Sequence, residues 1–186
     1  MSSERYIRGL VNEGPQDWGA AVRLIHAEYG KKAADILASA LGKSRRTGER
    51  WIAKAEGKVN PKTGRESQAS EPKPMAQVGV VEAAKRLYAA KKLRTAQTVN
   101  AGAVAVYSKS DGTRDARTRN VGALGVSGDL KAALDAAAND VQAGNYSDAA
   151  DRIDHAVMDA YGERGGVGDL GDTLGVVDYP DGFSVE

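Results

Sequence analysis

Apolar residues recur at helical spacing in separate stretches of the chain, and glycines, prolines or polar runs divide the stretches. Residues 3–12 (SERYIRGLVN) and 16–28 (QDWGAAVRLIHAE) read as amphipathic helices, with stripes of Leu10, Val11, Trp18, Ala21, Val22, Leu24 and Ile25. Gly30 is a stop signal. A third helix over 31–41 (KKAADILASAL) ends at Gly42, and a fourth starts at Ser44, a strong N-cap residue. Residues 57–75 (GKVNPKTGRESQASEPKPM) carry Pro61, Pro72 and Pro74 and no periodicity, so they read as a linker. Helical spacing resumes over 76–97, with Val80, Val81, Ala84, Leu87, Tyr88 and Leu93 on one side. Lys85, Arg86, Lys91, Lys92 and Arg94 cover much of the rest.

The period then changes. Residues 101–108 (AGAVAVYS) alternate small and branched side chains, and the turn dipeptide Asp111-Gly112 follows. The segment 113–126 can return as a second strand. Two helices are expected over 128–143 and 147–161, separated by Gly144-Asn145 and restarted by Ser147 as N-cap. A glycine-rich loop (162–171) leads to a last strand from Leu174 to Tyr179, and an acidic tail closes the chain. The expected fold is α+β: an all-helical helix-turn-helix domain over 1–58, a polar linker over 59–75, and a connecting helix plus small β-β-α-α-β domain over 76–186.

Composition narrows the chemistry. The 186 residues include no Cys, which excludes disulfides, thiol nucleophiles and cysteine-ligated metal centres, and the two His are too few for a histidine-based metal site. No cofactor is expected. No apolar run approaches the ~18 residues of a membrane span, and the start (MSSERYIRGL) lacks a signal-peptide core, so a cytoplasmic protein is expected. The net charge of +1 conceals a division. Residues 1–120 hold 23 Lys and Arg against 12 Asp and Glu, whereas residues 121–186 hold 3 against 13. A basic front suits a polyanion, here nucleic acid in a nucleoid-associated protein. The acidic back suits the basic half of a second copy in a homo-oligomer, or a basic replication protein. Mutual neutralisation of the two halves is the alternative.

The most informative window runs from Ala34 to Ile52 and has the spacing of a DNA-binding helix-turn-helix. Ala38 is small enough for a close helix crossing, Gly42 accepts a left-handed turn, and Leu37, Leu41, Trp51 and Ile52 can bury the joint. Ser44, Arg45, Arg46, Thr47, Glu49 and Arg50 then stand at the exposed start of the second helix, where bases and phosphates are met. Arg pairs bidentately with guanine, and Ser44 or Thr47 can reach phosphate. Lys31, Lys32, Lys54 and Lys58 add salt-dependent attraction to the backbone. Two positions depart from the usual pattern. Lys43 replaces an apolar turn residue, and Gly48 replaces a buried Val or Ile at a helix-interior cost of roughly 1 kcal/mol. A helical hairpin with a solvated basic face is the alternative reading.

Other patterns carry less. Gly166-Val167-Gly168-Asp169-Leu170-Gly171 spells a dinucleotide-binding glycine motif, but it follows a helix, and Asp169 and Asp172 would repel a pyrophosphate. Asp148, Asp151, Asp154 and His155 read as a solvated acidic helix face, and His26 as packing beside the front helices.

The order of parts resembles the telomere-protecting terminal proteins of linear actinomycete chromosomes and plasmids. The residues that carry the likeness are Leu41-Gly42-Lys43-Ser44-Arg45-Arg46-Thr47 with Glu49-Arg50, then Asp115-Ala116-Arg117 with Arg119. The ending Gly165-Gly166, Leu174-Gly175-Val176, Asp178 and Phe183 completes it. The resemblance spans about residues 31–186. It implies a protein that binds the folded single-stranded end of a linear replicon and primes replication, with a DNA polymerase or telomere-associated replication protein as partner. The chain would then be no enzyme itself but the acceptor of nucleotidyl transfer. The family's acceptor is a Thr; here Ser108 aligns nearest to it and Thr113 next, and Arg114, Arg117 and Arg119 would hold phosphates nearby. The alternative function is a plasmid-type repressor or partition protein that binds a palindromic duplex.

Overall fold

The computed structural model describes residues 2–59, 62–66, 70–165 and 170–186, with the side chains of 114–117 outside that description. It is mixed helix and antiparallel sheet, the α+β class. The helices are α1 (Ser3–Glu13), α2 (Trp18–Tyr29), α3 (Ala33–Ala40), α4 (Arg45–Ala55), α5 (Pro74–Thr95), α6 (Gly128–Ala143) and α7 (Tyr146–Arg164). The strands are β1 (Thr98–Ser108), β2 (Arg114–Gly125), β3 (Leu174–Asp178) and β4 (Ser184–Val185).

The chain forms two compact units. One is Asn12–Tyr88; the other combines the chain through Val11 with Ala89–Glu186. The sequence pattern groups residues 3–12 with the helical front, whereas α1 buries Ile7, Leu10 and Val11 in the core of the sheet-containing unit. Tyr6 explains the attachment. Its ring meets Phe183 edge-on at 5.3 Å, and its hydroxyl accepts from the Val185 amide at 3.1 Å.

The Asn12–Tyr88 unit is helical. Its core gathers Trp18, Ala21, Val22 and Ile25 of α2, Ala33, Ala34 and Leu37 of α3, Trp51 and Ile52 of α4, and Val80, Ala84 and Leu87 of α5. Trp18 and Trp51 meet at 5.6 Å with their planes 89° apart, the edge-to-face arrangement that ring quadrupoles favour. Asp17 caps α2 by accepting from the Ala20 amide at 2.8 Å. The linker expected over 59–75 contributes a bridge between Val59 and Glu66, and α5 begins at Pro74, a residue suited to a helix's first turn.

In the other unit β1 is the central strand. It pairs antiparallel with β2 along one side, and with β3 and β4 along the other. The hairpin register slips at Asn100/Gly102, Gly102/Ala103 and Ala105/Tyr107, so the two strands alternate imperfectly. Beside the sheet, α6 and α7 bury Leu130, Leu134, Ala137, Ala138 and Val141, then Ala149, Ile153, Val157 and Met158. Small residues let these helices pack closely where the chain has few aromatics.

Three local expectations change. Asn145, not Ser147, is the N-cap of α7, and the Asn145 carbonyl accepts from the Ala149 amide at 3.1 Å. The apolar stripe expected on one side of α5 divides between two cores: Val80, Ala84 and Leu87 enter one, Ala89, Ala90 and Leu93 the other. The acidic tail holds β4, and Tyr179, Phe183 and Val185 are buried there. The Gly166–Asp169 part of the glycine motif lies outside the described residues.

Candidate nucleic-acid interface

The joint between α3 and α4 is built by two glycines. Gly42 takes φ = 60°, where a side chain would be strained, and its amide bonds the Ser39 carbonyl at 3.2 Å. The next amide, Lys43, reaches back to the Ala38 carbonyl at 2.8 Å, closing α3 before the chain turns. Gly48 provides the crossing. A Cβ there would stand 2.2 Å from the Ala34 carbonyl oxygen and 3.0 Å from the Ala34 Cα, so α4 rests directly on the backbone of α3. Ala38 is buried too, but the tightest approach is Ala34 to Gly48. The departure from a buried Val or Ile at position 48 therefore has a steric reason.

Buried residues and two contacts from α2 fix α4 along its length. Trp51 and Ile52 face the core, with Leu37 opposite and Leu41 half-buried at the turn. Arg23 donates to the Ala55 carbonyl at 2.8 Å, which satisfies one of the helix's terminal acceptors. His26 packs beside these helices as expected, half-buried against the Glu56 carboxylate. Glu56 also holds Lys58 at 2.5 Å. Lys58 first, and His26 after it, draw the Glu56 carboxyl below its ordinary range.

The surface that remains has a clear order. Lys43, Ser44, Arg45, Arg46, Glu49, Arg50 and Lys54 are exposed, and Thr47 is half-buried. Arg46, Arg50 and Lys54 follow one another at four-residue spacing and form one stripe along α4. Arg45 lies off this stripe, held by Asp35 at 2.7 Å and Glu49 at 3.0 Å. These contacts, the Glu49 hydrogen bond foremost, raise its guanidinium above the ordinary value. Ser44 occupies the N-cap in extended conformation (φ −76°, ψ 151°), yet its hydroxyl does not cap a helix amide; it pairs with the Thr47 hydroxyl at 3.1 Å. Lys54 meets Glu71 at 3.2 Å. Local periodicity could not have revealed Asp35 and Glu71, because both come from outside the helix they serve.

The second set of residues stands at the β1–β2 turn. Ser108 is half-buried at the end of β1, and its hydroxyl lies 2.8 Å from that of Ser110. Thr113 is exposed, and its amide donates to the Asp111 carboxylate at 2.9 Å. That amide, the Thr113 hydroxyl and the Ser108 hydroxyl, in this order, hold the Asp111 carboxyl below its usual range. The turn thus places hydroxyls around one ionised carboxylate. Arg119 is half-buried on β2, opposite Val104 in the register, while the side chains of Arg114 and Arg117 lie outside the described residues. The α4 residues and the turn hydroxyls belong to different units.

The α+β unit also contains an open cleft of about 900 Å³, lined in part by Tyr107, Lys109, Asp151, Asp154, His155 and Arg164. Its cations are already engaged. Lys109 donates to the Gly171 carbonyl at 2.5 Å, Arg164 to the Ala123 carbonyl at 2.9 Å, and Arg152 pairs with Asp140 at 2.6 Å. Such a cleft offers little to a phosphate. At its edge the half-buried Asp154 accepts from the buried Tyr179 hydroxyl at 2.6 Å, and removal from water pushes its carboxyl up to about 6.

Comparisons with known families, with curated proteins and with solved structures return no match for this chain. Among the described residues, no helix is long and apolar enough to cross a membrane, and no group of three His, Asp or Glu could hold a metal ion.

Proposed function

We propose that the protein binds DNA through α4 and serves as a terminal protein, accepting the first nucleotide of a new strand on a hydroxyl of the β1–β2 turn. The observation that supports it most is the Arg46, Arg50 and Lys54 stripe on a helix rigidly seated by the Gly48–Ala34 crossing. Rigid seating matters because a base contact tolerates little misplacement, and a bidentate arginine–guanine pair contributes about 1–3 kcal/mol of discrimination. The basic balance of the helical unit provides the salt-dependent attraction that brings a polyanion to that helix.

Fluorescence anisotropy with labelled oligonucleotides tests the binding. Arg46→Ala and Arg50→Ala each lower affinity about tenfold, a loss of about 1.4 kcal/mol. Arg45→Ala lowers it less, because Arg45 is engaged with Asp35 and Glu49. Full affinity in the Arg46→Ala, Arg50→Ala double variant would overturn this reading.

In the priming step, the Oγ of Ser108 or Oγ1 of Thr113 attacks the α-phosphorus of a deoxynucleoside triphosphate. A phosphoester bond forms, pyrophosphate leaves, and the hydroxyl proton passes to solvent; a polymerase supplies the catalysis. Incubation with labelled deoxynucleotide and a host polymerase labels the protein, and Ser108→Ala or Thr113→Ala abolishes the label. Binding to a palindromic duplex with no labelling would instead assign the chain to the repressor or partition class.

A further inference from the structure

Two cations of α4 are paired before any nucleic acid arrives. Arg45 has Asp35 and Glu49, and Lys54 has Glu71. The Glu71 contact differs in kind from an ordinary surface ion pair. It comes from the chain just ahead of α5, and that chain is anchored beside α4: the Trp51 indole donates to the Ser70 carbonyl at 2.9 Å. Trp51 is itself buried in the core against Trp18, so the anchor belongs to the fold. Gln77 donates to the Pro72 carbonyl at 2.7 Å and fixes the other side of Glu71. Both Lys54 and Glu71 are exposed, so a phosphate can reach the ammonium without unfolding anything.

We propose that Glu71 is a built-in competitor for nucleic-acid phosphate at Lys54. Its carboxylate supplies what a DNA phosphate supplies, an anionic oxygen on the Lys54 ammonium. The fixed Ser70 carbonyl keeps it at high effective concentration. A phosphate must displace it, so α4 holds DNA more weakly than its charge alone would dictate. The carboxylate also discriminates. A strand that places a phosphate at Lys54 and gains further contacts at Arg46 and Arg50 displaces Glu71, whereas one that meets Lys54 alone does not. An exposed ion pair contributes little to stability, so removing this one should leave the fold intact.

The inference rests on α4 being the DNA-binding helix, and the full-length chain tests both. Anisotropy is measured at about 0.05, 0.1 and 0.2 M salt with a labelled hairpin-forming single strand and a labelled duplex. The proteins are wild type, Glu71→Gln, Lys54→Gln and the double variant. The expected result is that Glu71→Gln binds several-fold tighter and steepens the plot of log K against log salt by up to about 0.9. Lys54→Gln binds more weakly, and the double variant matches Lys54→Gln. Unchanged or weaker binding by Glu71→Gln overturns the competitor assignment while wild-type binding preserves the DNA reading. Equal tightening with and without Lys54 also overturns it, because the effect would then be one of net charge. Absence of wild-type binding to either probe overturns the DNA reading and the assignment with it.

Discussion

Gly48 of α4 lies against the carbonyl of Ala34 in α3 so closely that no other residue fits without moving one helix. Two effects of Gly48→Ala oppose each other. Helix propensity favours Ala by about 1 kcal/mol, and overlap with a fixed backbone oxygen costs more, since a carbonyl cannot swing aside like a side chain. The variant should be destabilised by about 2 kcal/mol net, measured by urea unfolding, and, on the proposed DNA-binding reading, should bind oligonucleotides more weakly. An unchanged or raised midpoint would show that the helices separate at no cost.

The Trp51 indole ties the Ser70 carbonyl to α4. Trp51→Phe keeps an aromatic ring in the core but removes this hydrogen bond and part of the contact with Trp18. A loss of about 2 kcal/mol is expected, together with faster tryptic cleavage after Arg65. Equal cleavage rates in the two proteins would separate the anchor from the order of that segment.

The Asp154 carboxyl, raised to about 6, gives stability a definite dependence on pH. A carboxyl whose value is raised by folding binds its proton more tightly in the native state. Its favourable contribution is therefore complete at acid pH and is lost as pH rises from about 4 through about 6. Asp154→Asn, which still accepts from Tyr179, should raise the unfolding temperature at pH 8 by the equivalent of about 2 kcal/mol and change little at pH 4. A gain of equal size at both values would contradict the assignment.

Phe183 packs against Tyr179 at 4.8 Å and Tyr6 at 5.3 Å. Phe183→Ala leaves a cavity among α1, β4 and the chain after β3, at a cost of about 3 kcal/mol. Calorimetry should register it as a drop in melting temperature, and a change under a few degrees would place Phe183 outside the cooperative core.

The positions that punctuate the chain are easily read from the sequence, and the partners of long-range contacts are not. Gly42 and Ser44 mark the turn between α3 and α4 because only local backbone geometry is involved. Gly48 is conspicuous as an anomaly, but its cause, a carbonyl fourteen positions earlier, is a property of packing. The same holds for Arg45, whose exposure suits DNA while Asp35 and Glu49 engage it. The final segment misleads for a different reason. Its acids mask the alternation of Phe183 and Val185, and two residues are too short a strand to show a period. At the β1–β2 turn, Asp111-Gly112 signals the hairpin, while the convergence of Ser108 and Thr113 on Asp111 emerges only once the turn is closed.

The discontinuity of the sheet-containing unit sets an order of assembly. Asn12–Tyr88 is one unbroken stretch, and Gly14 packs against the Lys85 backbone, so its two ends meet. A ribosome that has released residue 88 has delivered everything that unit requires. Helix α1 must wait, part of its apolar side uncovered, until β4 emerges. Stalled nascent chains ending after α5 should already resist protease across Trp18–Ala55 while α1 is still cut. The helix proposed to hold nucleic acid would then be in place during translation, ahead of the hydroxyl-bearing turn.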